Sequence, residues 1–545
     1  MAKVNDISIL MGGKAGHGIR VATTLIAKLL SRYGYRAFVY DDYPSLIRGG
    51  HNFSIVRISE KKILANTKKV DIIVGLDKLT VERHSGELKD EGVLLHDASF
   101  DAEGVAVPFK EIVKELKGIP IMRNSAAIGS LARVLGIDWR IVEEVFYKFI
   151  PRNTELNLEI ARKCYDMVES HFEIERLSQK TLPVISGNEA IALGAVDAGM
   201  DAYYAYPMTP STSILHFLAA NSKEFDILVV HPENEIAVML MALGSAYAGA
   251  KTMVASSGGG FSLMVEGLGL SAQSETPVTV VVSQRTGPST GVPTYTMQSD
   301  LHFILNAGHG EFTRFVAAPG DAEEAYYYTG LAMNIAWKLQ IPAFILADKH
   351  LSESNYSFDN TLYEVREEEA EFWDGTGEYL RYRDSQSGVS SLAFPGDAVV
   401  KANSYAHDEY GITTEEAEKI AKMQEKRLRK REVLVNELRK IEQFKIYGSN
   451  SDTVVLTWGS TKGAVVEAAE ILGLKVVQPI IMEPFPDISG QVKDKRLIAV
   501  EVNATGQLAR LLECNGIKVE ERLLKYNARP FFVDELVERL EVVLQ

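Results

Sequence analysis

A chain of 545 residues has room for three to four domains at about 100–200 residues each, with real hydrophobic cores. Its 46 % hydrophobic and 24 % charged content is that of ordinary globular proteins, and no apolar run approaches the ~18 residues of a membrane span. A formal charge of −15 excludes a nucleic-acid surface, which needs a basic field, and two cysteines, Cys164 and Cys514, are too few for the four thiolates of an iron–sulfur cluster. The start, MAKVNDISILMGGKAGHG, reads as a strand entering a glycine turn, not as a secretion signal. These priors describe a soluble, cytoplasmic, multi-domain α/β protein.

In chain order, residues 1–178 alternate strand-like runs (DISILMGG, FVYDDY, NFSIVRIS, KVDIIVGLD, GVLLHD) with helical ones, which predicts a largely parallel sheet with covering helices. Residues 179–354 repeat the pattern, and each apolar run ends in small or polar residues, where the carboxyl-end crevice of an open α/β sheet forms. Residues 355–448 are an insert followed by a charged helix; Thr413 and Glu416 have capping-box spacing, and the mixed charges predict a solvated linker helix. Residues 449–545 return to α/β alternation.

Four constellations carry chemistry. In Gly12-Gly13-Lys14-Ala15-Gly16-His17-Gly18, the glycines and a following helix suit either a phosphate or a tight structural turn. A second loop, Tyr43 to His51, carries Arg48, which suits an anion or an internal ion pair. In Tyr206-Pro207-Met208-Thr209-Pro210-Ser211-Thr212, two prolines fix Thr209 either as a substrate-binding hydroxyl or, on local chemistry, as a helix cap. In His231-Pro232-Glu233-Asn234-Glu235, only one of the two glutamates can face a crevice, and the helix dipole accounts for just one of them. The run Ser283 to Thr294, which includes Arg285 and Thr290, places a guanidinium and several hydroxyls at a strand's carboxyl end and reads as a carboxylate or phosphate pocket.

These elements in this order resemble the α subunit of a 2-oxoacid:ferredoxin oxidoreductase with a γ domain fused in front. The γ part is similar in GGKAGHG and YPSLIRGGHNFSIVRIS. The α part is similar in GNEAIALGAVDAGM, AYPMTPST, ENEIAVMLMALGSAYAGAKTMVASSGGGFSLM and QRTGPSTGVPT. The similarity continues through HDEYGITTEEAEKIAKMQEKRLRK and TVVLTWGSTKGAVVEAA, and so covers nearly the whole chain.

The resemblance implies a γ-type domain, a thiamine pyrimidine-binding-type domain and a transketolase C-terminal-like domain, each an open, largely parallel sheet with flanking helices. It implies CoA-dependent oxidative decarboxylation of a 2-oxoacid, with thiamine diphosphate shared with a β subunit, coenzyme A as co-substrate and ferredoxin as electron acceptor. Glu235 is then the glutamate on the cofactor's aminopyrimidine ring, favouring the imino tautomer whose nitrogen takes the thiazolium C2 proton. Thr209, Arg285, Thr290 and Thr294 line the 2-oxoacid pocket, and Gly12, Gly13, Gly16, Gly18 and Arg48 belong to the γ-type cofactor loops. No Gly-Asp-Gly diphosphate motif is present, only Gly320-Asp321-Ala322 and Gly396-Asp397-Ala398. The Mg2+ and the 4Fe–4S cluster are therefore expected in the β subunit, with no metal site in this chain. An indolepyruvate-type α chain and a non-catalytic phosphate-binding scaffold remain as alternatives.

Overall fold

The computed structural model describes residues 2–3, 5–45 and 50–545. They form an α/β protein with three open, mixed but largely parallel sheets of eight, seven and five strands. The chain divides into two compact units, each assembled from separated stretches: Met1–Ser186 with Glu353–Asp359 and Phe532–Arg539, and Gly187–Ser352 with Asn360–Phe531 and Leu540–Gln545.

In the first unit the eight strands run Val105–Val107, Leu88–Asp97, Val70–Gly75, Asp6–Lys14, His51–Ser59, Arg36–Asp42, Asn355–Ser357 and Val184–Ser186. The half from Val105 to Asp6 is parallel, as the alternation predicts, but His51–Ser59 pairs antiparallel with both its neighbours. The reason is length: a parallel crossover needs about a dozen residues or more, and the segment between Asp42 and His51 is shorter than that. Two short strands from far along the sequence, Val184–Ser186 and Asn355–Ser357, complete the sheet's edge. Buried Ile, Leu and Val of the strands pack against helices Ile19–Arg32, Arg123–Val134, Trp139–Phe149 and Thr154–Tyr165. Gly129 lets two of these helices meet backbone to backbone, since a Cβ there would lie 2.1 Å from the Ala161 carbonyl.

In the second unit the larger sheet runs Leu228–Val230, Ala202–Tyr204, Thr252–Ser256, Val278–Gln284, Pro342–Asp348, Phe315–Ala317 and Ile481–Glu483. Only its last strand is antiparallel. The smaller sheet runs Phe444–Gly448, Lys475–Pro479, Thr453–Leu456, Arg496–Glu501 and Glu521–Leu524. One core serves both sheets, with Phe344 and Leu346 from the larger and Val454 and Leu497 from the smaller in the same cluster. A buried ion cluster adds to it: Lys462 pairs with Asp321 (2.7 Å) and with Glu324.

The charged helix Ala417–Leu438 departs from the solvated helix expected there. Lys426 and Lys430 are fully buried, and both ammonium groups meet the buried carboxylate of Glu275 at 2.8 Å and 2.5 Å. Arg381 joins from the insert by donating to the Glu275 carbonyl at 2.6 Å. The expected capping box is not formed either. Glu416 is itself the N-cap, and its backbone N–H is taken by Thr414 Oγ1 at 3.2 Å.

Candidate active site

The larger sheet of the second unit presents the carboxyl ends of four parallel strands side by side, and the sequence-predicted residues follow directly from them. Val278–Gln284 is Val and Thr as far as Val282, then Ser283 and Gln284, and is wholly buried, as a central parallel strand is, so the next residue, Arg285, emerges at the crevice. Ala202–Tyr204 leads into the proline-fixed loop holding Thr209, Leu228–Val230 leads to Glu235, and Thr252–Ser256 leads to a run of glycines.

Glu235 opens the helix Glu235–Tyr247. The cap is Asn234, whose side chain accepts from Ala237 N at 3.0 Å. With the cap supplied by its neighbour, Glu235 is not needed there, and its carboxylate is buried at 2 % exposure, while Glu233 stays in solvent. Of the two glutamates, the structure turns Glu235 inward. Ser256 Oγ donates to Glu235 Oε1 at 3.2 Å; no hydrogen bond to Oε2 is found among the described residues. The helix Gly258–Ser274 then starts with three glycines, and a Cβ on Gly260 would stand 2.1 Å from Ser256 Oγ and 2.2 Å from Glu235 Oε1. Ser257, at its N-cap, is fully buried with its hydroxyl unpartnered.

Arg285 lies across from this group. Its Nη1 donates to the Thr209 carbonyl at 2.8 Å and touches Met208 Sδ at 3.2 Å, which leaves the rest of the guanidinium fork for a ligand. Burial pulls Arg285 below its ordinary value, and the negative charges of Asp300 and Glu235 oppose that shift. Thr209 is half-buried and is not a helix cap: Ser211 holds that position before Thr212–Phe225. The loop is fixed from below by Asn188, which donates to the Pro210 carbonyl (2.8 Å) and to Ser213 Oγ (2.7 Å).

Of the two further threonines, Thr294 is buried with an unpartnered hydroxyl, and Thr290 stands exposed at the tip of its loop. The loop folds back through Thr286, which exchanges backbone bonds with Tyr295 and Val292. Asp300, whose N–H donates to Gln284 Oε1 at 2.9 Å and whose carboxylate faces Gly258, is pushed up to about 6 by burial, against the positive charge of Arg285. Neither Ser256 nor Asp300 was singled out from the sequence. Ser256 ends a strand before a glycine run, a signal that was available; Asp300 carries no local signal.

These residues fit an aminopyrimidine ring: a buried carboxylate with one oxygen held and the other open, beside glycines that leave room. Asp321, in one of the two partial matches to a diphosphate motif, is used otherwise. It caps the helix Ala322–Leu339 and pairs with Lys462. Among the described residues, no group of three His, Cys, Asp or Glu side chains is placed to hold a metal ion, and no helix is long and apolar enough to cross a membrane.

In the first unit, Gly12 and Gly13 lie inside the strand Asp6–Lys14 and not in the turn. A Cβ on Gly12 would meet Thr80 Cγ2 at 2.5 Å, so that glycine is required by packing. The turn itself is made by Gly16 and Gly18, both at positive φ, ahead of the helix Ile19–Arg32. Asn124 Nδ2 donates to the His17 carbonyl at 2.8 Å and braces it. Arg48 lies outside the described residues.

A family model described as pyruvate flavodoxin/ferredoxin oxidoreductase, thiamine diphosphate-binding, matches residues 193–426, and one described as pyruvate ferredoxin/flavodoxin oxidoreductase matches residues 8–167. The 2-oxoacid:ferredoxin oxidoreductase subunit alpha of Sulfolobus sp. is 30 % identical over 99 % of this chain and 97 % of that protein. The 2-oxoglutarate synthase subunit KorA of Methanocaldococcus jannaschii is 31 % identical over 62 % of this chain and 93 % of that subunit. Among solved structures, the 2-oxoglutarate:ferredoxin oxidoreductase from Magnetococcus marinus, with 2-oxoglutarate, coenzyme A and succinyl-CoA bound, is similar with a TM-score of 0.91. It is 28 % identical, and the match covers 100 % of both chains.

Proposed function

The chain belongs to the family of 2-oxoacid:ferredoxin oxidoreductase alpha subunits, and from that premise we propose that it supplies the aminopyrimidine and substrate-carboxylate half of a thiamine-dependent site. The reaction is 2-oxoacid plus coenzyme A giving acyl-CoA and CO2, with two electrons leaving for ferredoxin. The single observation that carries the reading is the buried Glu235 carboxylate, oriented by Ser256, with Arg285 near enough to feel its charge.

Thiamine diphosphate, when bound, supplies the electron sink that makes loss of CO2 from a 2-oxoacid feasible. Glu235 would hold a proton at the aminopyrimidine ring nitrogen through its open oxygen. Arg285 would receive the substrate carboxylate with the part of its fork that Thr209 does not use, and Thr209 and Thr294 would offer hydroxyls beside it. Thr290, on the exposed loop tip, would reach the substrate only from the pocket's rim. The carboxylate is common to all 2-oxoacids, so Arg285 recognises the class and the pocket's outer wall selects the tail.

A β subunit would bring the diphosphate site, its Mg2+ and the 4Fe–4S cluster. The face suited to it is the one around Glu235. Ile236, Leu240 and Leu263 expose 43 %, 46 % and 48 % of their surface beside a cleft of about 420 Å3. Apolar side chains concentrated on two adjacent helices mark a partner surface better than scattered ones do. For coenzyme A, the turn at Gly16 and Gly18 offers a helix N-terminus, and Arg123 and Lys14 lend positive charge there, which adds to burial in lowering His17.

The test is to purify the chain alone and together with its β subunit, then assay 2-oxoacid-dependent dye reduction with thiamine diphosphate and coenzyme A over a panel of 2-oxoacids. Turnover is expected only from the pair. Robust turnover by the chain alone would overturn the divided site.

A further inference from the structure

The loop that carries Arg285, Thr290 and Thr294 is held at its far end by Gln298, to which the pocket gives no task. Gln298 is 1 % exposed, and every polar group of its side chain is engaged. Its Nε2 donates to Asp348 Oδ2 at 3.2 Å and to the Trp458 carbonyl at 3.0 Å. Its Oε1 accepts from Thr461 Oγ1 at 2.7 Å and from Val502 N at 3.3 Å. An amide side chain has two N–H donors and a carbonyl with two lone pairs, so no capacity is left over. The backbone N–H of Gln298 adds a fifth bond, to the Val502 carbonyl at 2.8 Å.

Most of these partners belong to the smaller sheet. Trp458 and Thr461 follow the strand Thr453–Leu456, and Val502 directly follows Arg496–Glu501. The two strands are parallel neighbours, and the chain visits Lys475–Pro479 on one side of Thr453–Leu456 before it reaches Arg496–Glu501 on the other. The crevice at their carboxyl ends is therefore the point where the strand order reverses, which is where an open α/β sheet takes a ligand. Here a glutamine from the Arg285 loop fills it. Gly459 makes room: its φ is +56°, and a Cβ there would lie 2.7 Å from Gln298 Nε2. The remaining partner, Asp348, belongs to the larger sheet and stands in register with Gln284, the residue before Arg285. Gln298 thus joins the strand end that delivers Arg285 to the C-terminal α/β layer.

We propose that Gln298 is a positioning residue for the 2-oxoacid: docked in the crevice of the smaller sheet, it fixes the loop and so the presentation of Thr294 and Arg285 to the substrate. This rests on the reading that Arg285 receives a 2-oxoacid carboxylate. The base of the loop is closed separately, by the Asp300 N–H on Gln284 Oε1 at 2.9 Å, so loss of the Gln298 anchor loosens the loop without freeing its ends. Removing one partner leaves a buried amide atom unpaired, and the loop relieves that cost by carrying the amide towards water. Gln298 is bonded to none of Glu235, Ser256 or Thr209, so its loss falls on substrate binding and leaves the cofactor's carboxylate in place.

Two measurements on the cofactor-loaded α/β complex test this. The first is steady-state kinetics of Thr461→Val, which removes the hydroxyl at constant shape, Thr461→Ser, which keeps it, and Gln298→Met, which removes the amide at similar length. KM for the 2-oxoacid is expected to rise about fivefold or more in Thr461→Val and further in Gln298→Met, with kcat and the KM for coenzyme A within about twofold of wild type. Thr461→Ser is expected to keep the wild-type KM. A wild-type KM in folded Gln298→Met would overturn the proposal, as would a Thr461→Ser that behaved like Thr461→Val. So would an equal loss in kcat and in the KM for coenzyme A, which a general loss of structure gives. The second measurement needs no variant: hydrogen exchange of the wild-type complex with and without oxamate, an unreactive 2-oxoacid isostere. Added protection is expected over residues 285–299 and also over 458–461; no change over 458–461 would overturn the coupling even if every variant failed to fold. Turnover with either negative result would remove Gln298 alone, whereas absence of turnover on any 2-oxoacid would remove the functional reading and this proposal with it.

Discussion

Ser256 Oγ stands 3.2 Å from Glu235 Oε1, and both groups occupy the space a Cβ on Gly260 would need, so that the strand end, the helix start and the glycine together hold one carboxylate oxygen in place. A hydrogen bond to a charged group contributes about 1.5–3 kcal/mol. Ser256→Ala is expected to lower kcat of the α/β complex about tenfold or more, through misorientation of Glu235, with a loss of stability of no more than that order and the complex still folded under assay conditions. Gly260→Ala is expected to cost more, because its Cβ claims the space of both partners. The check is steady-state kcat beside a thermal melt, and wild-type kcat in both variants would contradict the arrangement.

Arg285 is expected to act through its fork and not through its charge alone. Nη1 is spent on the Thr209 carbonyl, so a lysine, with one compact ammonium group, cannot hold that carbonyl and a carboxylate with the same geometry. Arg285→Lys should raise KM about tenfold or more for every 2-oxoacid tested, whatever its tail. A KM increase confined to one tail would assign Arg285 to tail recognition instead.

The buried cluster on the charged helix makes a stability prediction. Glu275 is the carboxylate that compensates Lys426 and Lys430, and their charges hold it well below the usual range against its burial. Removing one partner of a buried ion pair leaves a charge stranded, which typically costs about 3–5 kcal/mol. Glu275→Gln is expected to destabilise the second unit by that order, read as a loss of hydrogen-exchange protection over Ala417–Leu438.

The same cluster has a pH signature. Burial brings Lys430 down to about 7, from an ordinary 10.5. Between those values the unfolded chain binds a proton that the folded chain does not, so the stability contribution rises with pH across that window. Denaturation from neutral to mildly alkaline pH should show this rise in the wild type and lose it in Lys430→Met. Parallel profiles for the two would contradict the assignment.

Legibility in the sequence differs from residue to residue. The local residues said only that one of Glu233 and Glu235 needs a reason beyond the helix dipole; the family resemblance singled out Glu235, and the cap supplied by Asn234, which leaves Glu235 to turn inward, is seen only in the fold. Arg285 was legible because a buried strand of Val and Thr delivers whatever follows it to the crevice. The antiparallel strand His51–Ser59 was not, since strand periodicity says nothing of direction. Lys426 and Lys430 looked solvated because their partner Glu275 lies some 150 residues earlier, and only the fold brings it beneath them. Asp300 was invisible for the same reason: its carboxylate is set by burial against Gly258, not by its neighbours in sequence.

On the proposed function, Glu235 serves a thiamine cofactor completed by a second subunit. The most direct measurement is 2-oxoacid-dependent turnover of the α/β complex carrying Glu235→Gln, alongside thiamine diphosphate content and subunit stoichiometry. Loss of turnover by orders of magnitude, with the complex intact, is the predicted result; near-normal turnover in an intact complex would contradict it.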